Sequence, residues 1–149
     1  NRAAVIQPNS GSTFTLNNLP TTGGWAGGYD VYVYFTTSTK IADDGGTDPL
    51  DLTLGATTYY AELVNGTPNY TGSFTLVDST NSGARQSGNY VKFSGISGSS
   101  FNLNLAAGST SSQRLAAAGI QIVAVPEPSS LLLVVSSFAG IILLRRRRS

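Results

Sequence analysis

The strongest constraint on this chain is an alternation with a period of two. In "SFNLNL", Phe101, Leu103 and Leu105 fall on one side, and Asn102 and Asn104 on the other. In "YDVYVYF", Val31, Val33 and Phe35 share one face, while Asp30, Tyr32 and Tyr34 share the opposite one. Successive strand side chains point to opposite faces, so such segments build a sheet with one buried and one wet side. Their β-branched and aromatic residues favour the same state. Comparable runs occupy residues 14–16, 29–35, 50–54, 58–63, 73–77, 90–94, 101–105 and 119–125. Turn clusters such as "TTGGWAGG", "DDGGTDP", "NGTPN" and "STNSG" separate them. This spacing predicts an all-β fold over residues 1–124: an antiparallel β-sandwich of jelly-roll type, with a barrel as the second choice. "RLAAAG" (114–119) is the one helical turn expected in the body, and 106–113 is expected to be a surface loop. No methionine occurs, at position 1 or elsewhere, so the domain is expected to be truncated at its N-terminus.

The chain has no cysteine and no histidine. Disulfides, thiol nucleophiles, Ser-His-Asp triads and zinc sites built on those residues are therefore excluded for this stretch. Residues 1–124 carry five basic and seven acidic residues, and five minus seven leaves a net charge of −2. The formal +1 of the whole chain belongs to its end. With no basic patch interleaved with aromatics, nucleic acid is not an expected partner.

That end is "VPEPSSLLLVVSSFAGIILLRRRRS". Pro126 and Pro128 lack amide hydrogens, fix their own φ and push Val125 and Glu127 toward extended geometry, so 125–128 reads as a stiff spacer. Residues 129–144 are uncharged, and ten of these sixteen are Leu, Ile, Val or Phe. As a helix this stretch would be about 24 Å long, against a hydrocarbon core of about 30 Å. Its apolar residues supply about −3 to −6 kcal/mol toward insertion, less the contribution of four serines and a glycine. A core helix would be amphipathic, and this one is apolar all round. The reading is a single C-terminal transmembrane helix. Arg145, Arg146, Arg147 and Arg148 follow as a stop, and residues 145–149 are expected in the cytoplasm.

A Pro-Glu-Pro triplet (Pro126, Glu127, Pro128), a short apolar helix and a terminal arginine cluster together resemble the PEP-CTERM protein-sorting signal. The resemblance implies export across a bacterial inner membrane, with transient contact with its lipid. It also implies recognition by an exosortase, a membrane-embedded protease or transpeptidase that removes the tail, and delivery to the cell surface or outside. The segments "YDVYVYF", "GNYVKFSGIS" and "AAGIQIV" resemble parts of β-sandwich domains that precede such tails in environmental bacteria.

Within the body, "IADDGGTDPLD" gathers Asp43, Asp44, Asp48 and Asp51 around a glycine pair. Hard oxygen ligands on a flexible loop suit calcium, although the spacing is not that of an EF-hand and Asp and Gly are also ordinary turn formers. Calcium is the one cofactor these residues suggest. Trp25, Tyr29, Tyr32, Tyr34, Tyr59 and Tyr60 supply rings for stacking on sugar, with Trp25, Tyr32 and Tyr34 as the first candidates; the other reading is core or edge packing. Asp30, Glu62 and Asp78 are the acids from which a glycosidase pair would have to come. "GGWAGG" lacks the strand and helix of a phosphate cradle and reads as a flexible turn. "NGT" at Asn65 and "NYT" at Asn69 match the N-glycosylation acceptor pattern, here by chance. The expectation is a non-enzymatic cell-surface or extracellular-matrix protein, associated with biofilm or exopolysaccharide. The alternative is a carbohydrate-binding module of a larger secreted protein or enzyme.

Overall fold

The computed structural model describes residues 4–6, 11–37, 47–64, 72–107 and 115–126. They form nine strands: β1 (Ala4–Ile6), β2 (Ser12–Leu16), β3 (Tyr29–Thr37), β4 (Thr47–Leu54), β5 (Thr57–Val64), β6 (Gln86–Ser87), β7 (Tyr90–Ile96), β8 (Phe101–Ala107) and β9 (Leu115–Ala124). One sheet has the order β1-β9-β3-β7 and the other β2-β8-β4-β5-β6.

Leaving aside the two-residue β6, the antiparallel pairs are nested. The first strand pairs with the last, β1 with β9. Then β2 pairs with β8, β3 with β7, and β4 with β5. A long two-stranded ribbon rolled across two layers gives this order, and β9 beside β3 and β8 beside β4 complete the sheets. The result is the jelly-roll sandwich expected from the alternation, with its eight strands in two layers.

The alternation also fixes the core. Val31, Val33 and Phe35 of β3 and Val91 and Phe93 of β7 face inward from one sheet, against Leu50, Leu52, Leu54, Leu103 and Leu105 of the other. Each such side chain, fully buried, contributes about 1.5–3 kcal/mol of transfer free energy. Aromatic contacts join the layers: Tyr59 lies 5.0 Å from Phe93 and Tyr29 lies 6.0 Å from Phe101, centroid to centroid.

Two expected elements differ. Of the helical turn expected at 114–119, residue 114 lies outside the described ones and the rest is strand: β9 begins at Leu115 and pairs along β3, with Thr37 opposite Leu115 and Phe35 opposite Ala117. An alanine run of this length is too short to hold a helix against pairing along β3, even with the bulge that leaves Ala118 unopposed between Tyr34 and Phe35. Residues 73–77 are not a strand either, and only a bridge between Leu76 and Tyr90 forms there. Their backbone groups are taken by buried Asn89 instead. The Thr75 N–H donates to Asn89 Oδ1 at 2.8 Å, and Asn89 Nδ2 donates to the Ser73 carbonyl at 2.9 Å. The Asn89 N–H donates to the Thr75 carbonyl at 3.0 Å. Gly88 permits this approach, since a Cβ there would lie 2.6 Å from Val77 Cγ2 and 2.8 Å from the Thr75 oxygen.

The expected loop at 106–113 loses Ala106 and Ala107 to β8. Its remaining residues lie outside the described ones, as does the expected C-terminal helix at 129–144.

Candidate functional site

The outer face of the four-stranded sheet is built by β3 and its neighbours. With Val31, Val33 and Phe35 inward, Asp30, Tyr32 and Tyr34 must point out. On β7 the same alternation turns Tyr90 and Lys92 outward, and on β9 Gln121 and Val123. Register then sets the neighbours: Tyr32 opposite Lys92 and Gln121, and Tyr34 opposite Tyr90 and Gly119.

Four rings meet there. Tyr90 stacks on Tyr32 at 6.4 Å and leans on Tyr34 at 5.9 Å. Phe74, presented by the segment that Asn89 holds, lies 5.2 Å from Tyr34 and edge-on to Tyr90 at 6.2 Å. Phe74 is 63% exposed, a large apolar ring turned to solvent. Beside it runs an apolar groove of about 260 Å³, lined by Tyr34, Phe35, Thr36, Phe74, Asn89 and Ala118. Gly119 puts no side chain across from Tyr34, and a Cβ there would meet nothing within 4 Å.

Polar groups frame the rings. The Tyr34 hydroxyl donates to Gln121 Oε1 at 3.0 Å. Lys92 Nζ lies 2.7 Å from Asp30 Oδ2 and 5.5 Å from the centre of the Tyr32 ring. The Gly95 N–H donates to Asp30 Oδ1 at 3.1 Å. The hydrogen bond from Lys92 is the largest influence holding the Asp30 carboxyl below its usual range, with Gly95 acting in the same direction against partial burial. The same hydrogen bond, with Asp30, raises Lys92. The pair is therefore charged and mutually satisfied across neutral pH. Chemically the face offers apolar ring surfaces bordered by a few fixed donors and acceptors, the combination that suits an uncharged polyhydroxylated ligand.

The outer face of the five-stranded sheet is different. Thr13, Asn104, Thr53 and Thr58 stand in one row across four strands. Thr13 donates to Asn104 Oδ1 at 2.7 Å, Thr15 to Asn102 Oδ1 at 2.8 Å, and the Thr53 and Thr58 hydroxyls share a hydrogen bond of 2.9 Å. Next to this row Arg85 bridges Asp51 at 2.7 Å and covers the Tyr60 ring at 5.3 Å.

Of the six aromatics singled out in the sequence, Tyr32 and Tyr34 share a face. Trp25 sits in a 3-10 turn (Gly23–Trp25) at one end of the sandwich, 6.2 Å from Tyr29. Tyr29 is buried, and its hydroxyl donates to the Gly98 carbonyl at 3.2 Å. Tyr59 points into the core and Tyr60 lies on the other sheet. Tyr90 and Phe74 went unnamed. The outward positions of "NYVKF" could have found Tyr90; nothing local marks Phe74, whose place depends on Asn89.

Among the acids, Asp30 and Glu62 lie on outer faces of opposite sheets, too far apart to flank one glycosidic bond. Asp78 precedes Ser79 in a turn where both N–H groups donate to Gln86 Oε1 at 2.8 Å. Asp43 and Asp44 lie outside the described residues, Asp48 is within β4, and Asp51 is engaged by Arg85. Among the described residues no group of three or more acidic side chains could hold a metal.

β9 ends at Ala124, the Val125 N–H donates to the Gly28 carbonyl at 2.9 Å, and exposed Pro126 follows at once. Glu127, Pro128, the apolar stretch and Arg145 to Arg148 lie outside the described residues. Among the described residues no helix is long and apolar enough to cross a membrane.

A jelly-roll sandwich whose last strand runs straight into Pro-Glu-Pro defines the class: a β-domain carrying a C-terminal sorting signal. Residues 124–148 match the family model of the PEP-CTERM protein-sorting motif. The chain is thus an exported protein, secreted or at the cell surface, with an exosortase as its processing partner. Among solved structures it is similar to a sugar-binding protein described as the EclA C-terminal domain, at 16% identity, over 81% of this chain and 76% of that one, with a TM-score of 0.46. At that likeness the candidate site stands on its own geometry. No curated protein matches the chain.

Proposed function

We propose that this protein is a cell-surface or matrix component that holds extracellular polysaccharide on the aromatic face of its four-stranded sheet. The observation that carries the reading is the cluster of Tyr32, Tyr34, Tyr90 and Phe74, outside the core and beside an open apolar groove. Rings already packed against one another lose little conformational freedom when a sugar stacks on them. Gln121, Asp30 and Lys92 stand where hydroxyl groups of such a sugar would reach. The role is binding and adhesion without catalysis, and it needs no cofactor.

Delivery rests on the tail. Residues 129–144 insert as a temporary anchor with Arg145 to Arg148 in the cytoplasm, and the exosortase cuts in or near Pro126, Glu127 and Pro128. Intact mass measurement on the protein from its native host, with and without the exosortase gene, tests this. A product trimmed after Pro-Glu-Pro in the wild type, and retained whole in the mutant, is the expected result; retention of the arginines in both makes the tail a plain anchor.

Binding is tested by a glycan screen with the full chain and its Tyr34→Ala and Phe74→Ala variants. Saturable binding lost in both variants is expected. Failure to bind any matrix polysaccharide, or binding that survives both changes, removes the aromatic face from the account.

A further inference from the structure

The chain leaves the sandwich at one defined end. Val125 is hydrogen-bonded to Gly28 beside the start of β3, and Ala124 is opposite Tyr29. The same end carries the end of β7, since Tyr29 is also opposite Ile96. The 17–28 connection joins it there: the Leu19 N–H donates to the Ser99 carbonyl at 2.9 Å. The tight turn at Gly55 and Ala56 completes it, bordering a depression shared with Ser97 and Ser100.

This end has a composition of its own. Residues 17–28, 54–57, 94–101 and 124–126 contain no Asp, Glu, Lys or Arg. Asp30 and Lys92, on the strands that lead into this end, neutralise each other, and Glu127 follows Pro126 in the chain. It also holds Trp25, the only tryptophan of the chain, half-buried at a groove of about 230 Å³ that it lines with Pro20, Thr21 and Gly98.

From Pro126 to Ser129 is three residues, a reach of about 10 Å even when fully extended. An anchor of about 24 Å in a hydrocarbon core of about 30 Å also draws its flanks inward. We infer that the charge-free end is a bilayer-docking surface, which rests on the head-group layer with Trp25 at the lipid interface while the tail is inserted. This rests on the proposed insertion of residues 129–144. Charged side chains at this end would have to be dehydrated against lipid, whereas Ser, Thr, Asn and Gly exchange hydrogen bonds with head groups at little cost, and tryptophan is enriched at that depth. Docked in this way, the sandwich holds its Pro-Glu-Pro segment at the membrane surface, in reach of an enzyme embedded there.

The full chain is reconstituted in phosphatidylethanolamine–phosphatidylglycerol vesicles containing phosphatidylcholine brominated near the head of its acyl chains. Flotation reports insertion and Trp25 emission reports docking. The expected result is a floating protein whose emission is quenched relative to that in unbrominated vesicles, as for an interfacial tryptophan. Because the chain has no cysteine, Ser97→Cys at this end and Ser87→Cys far from it each give one labelling site. A fluorophore at 97 should be severalfold less open to iodide than one at 87. A protein that floats with unquenched Trp25 and equally open labels overturns the docking surface but leaves the anchor standing. A protein that does not float overturns both.

Discussion

The two outer faces of this sandwich are made from the same alternation, yet they present different chemistry. On the five-stranded sheet Thr13, Thr15, Asn102, Asn104, Thr53 and Thr58 point outward and hydrogen-bond sideways in pairs, with Asp51, Arg85 and Tyr60 alongside them. On the four-stranded sheet β3 and β7 turn Tyr32, Tyr34 and Tyr90 outward next to the Asp30–Lys92 pair, and a non-strand segment adds Phe74 beside them. The first face satisfies its own polar groups. The second leaves ring surface uncovered, with a groove alongside. Apolar ring surface gains by shedding water on binding, while hydroxyls and amides already bonded to one another gain little, so affinity should concentrate on the aromatic face.

The largest expected effect comes from removing what holds that face together. Asn89→Ala removes the part-buried hydrogen bonds to the Thr75 N–H and the Ser73 carbonyl, which together cost about 1–3 kcal/mol of stability. Urea unfolding should show the loss, and glycan binding should fall with it as Phe74 is released. Unchanged binding would mean that the clamp is not needed to build the face.

The next largest separates the two faces directly. Tyr90 touches all three other rings, so Tyr90→Ala should weaken glycan binding about tenfold or more. Asn102→Ala on the opposite face should leave it unchanged in the same titration. The reverse outcome would exchange the roles of the faces.

Gly119→Val sharpens the comparison with less damage. The position has open space for a side chain, so stability should change by less than about 0.5 kcal/mol. The new methyls would cover ground beside Tyr34 and weaken binding severalfold. Calorimetry on one protein sample reads both quantities.

The smallest effect is on pH. Lys92 lowers the folded pKa of Asp30, so the stabilisation is fully present above the ordinary aspartate value of about 3.9 and is lost as pH falls through the folded value. For Lys92, raised by Asp30, the contribution is complete below its ordinary value and is lost as pH rises through the folded one. Thermal unfolding of Asp30→Asn should therefore show a flatter acid limb than the wild type. An identical limb would show that this surface pair does not contribute.

Much of this was legible in the sequence because alternation is a local property. "YDVYVYF" and "SFNLNL" state their inner and outer residues without reference to any other strand. The sorting tail was legible for the same reason: its three parts are contiguous and owe nothing to folding. Trp25 was grouped with Tyr32 and Tyr34 because all are aromatic and near in sequence, but its turn lies at the end of the sandwich rather than on that face. Residues 73–77 alternate well enough for a strand, and nothing local reveals that Asn89 takes their hydrogen bonds.

The sequence by itself thus determined an all-β domain, the inward and outward sides of its strands, and the address at its end. Only the tertiary structure decided that β7 lies beside β3, that the Asn89 clamp carries Phe74 to the same face, and that residues 115–119 join a ladder. Each of these depends on partners far apart in the chain. Their pairing is chosen by burying whole faces at once, a choice no single segment encodes.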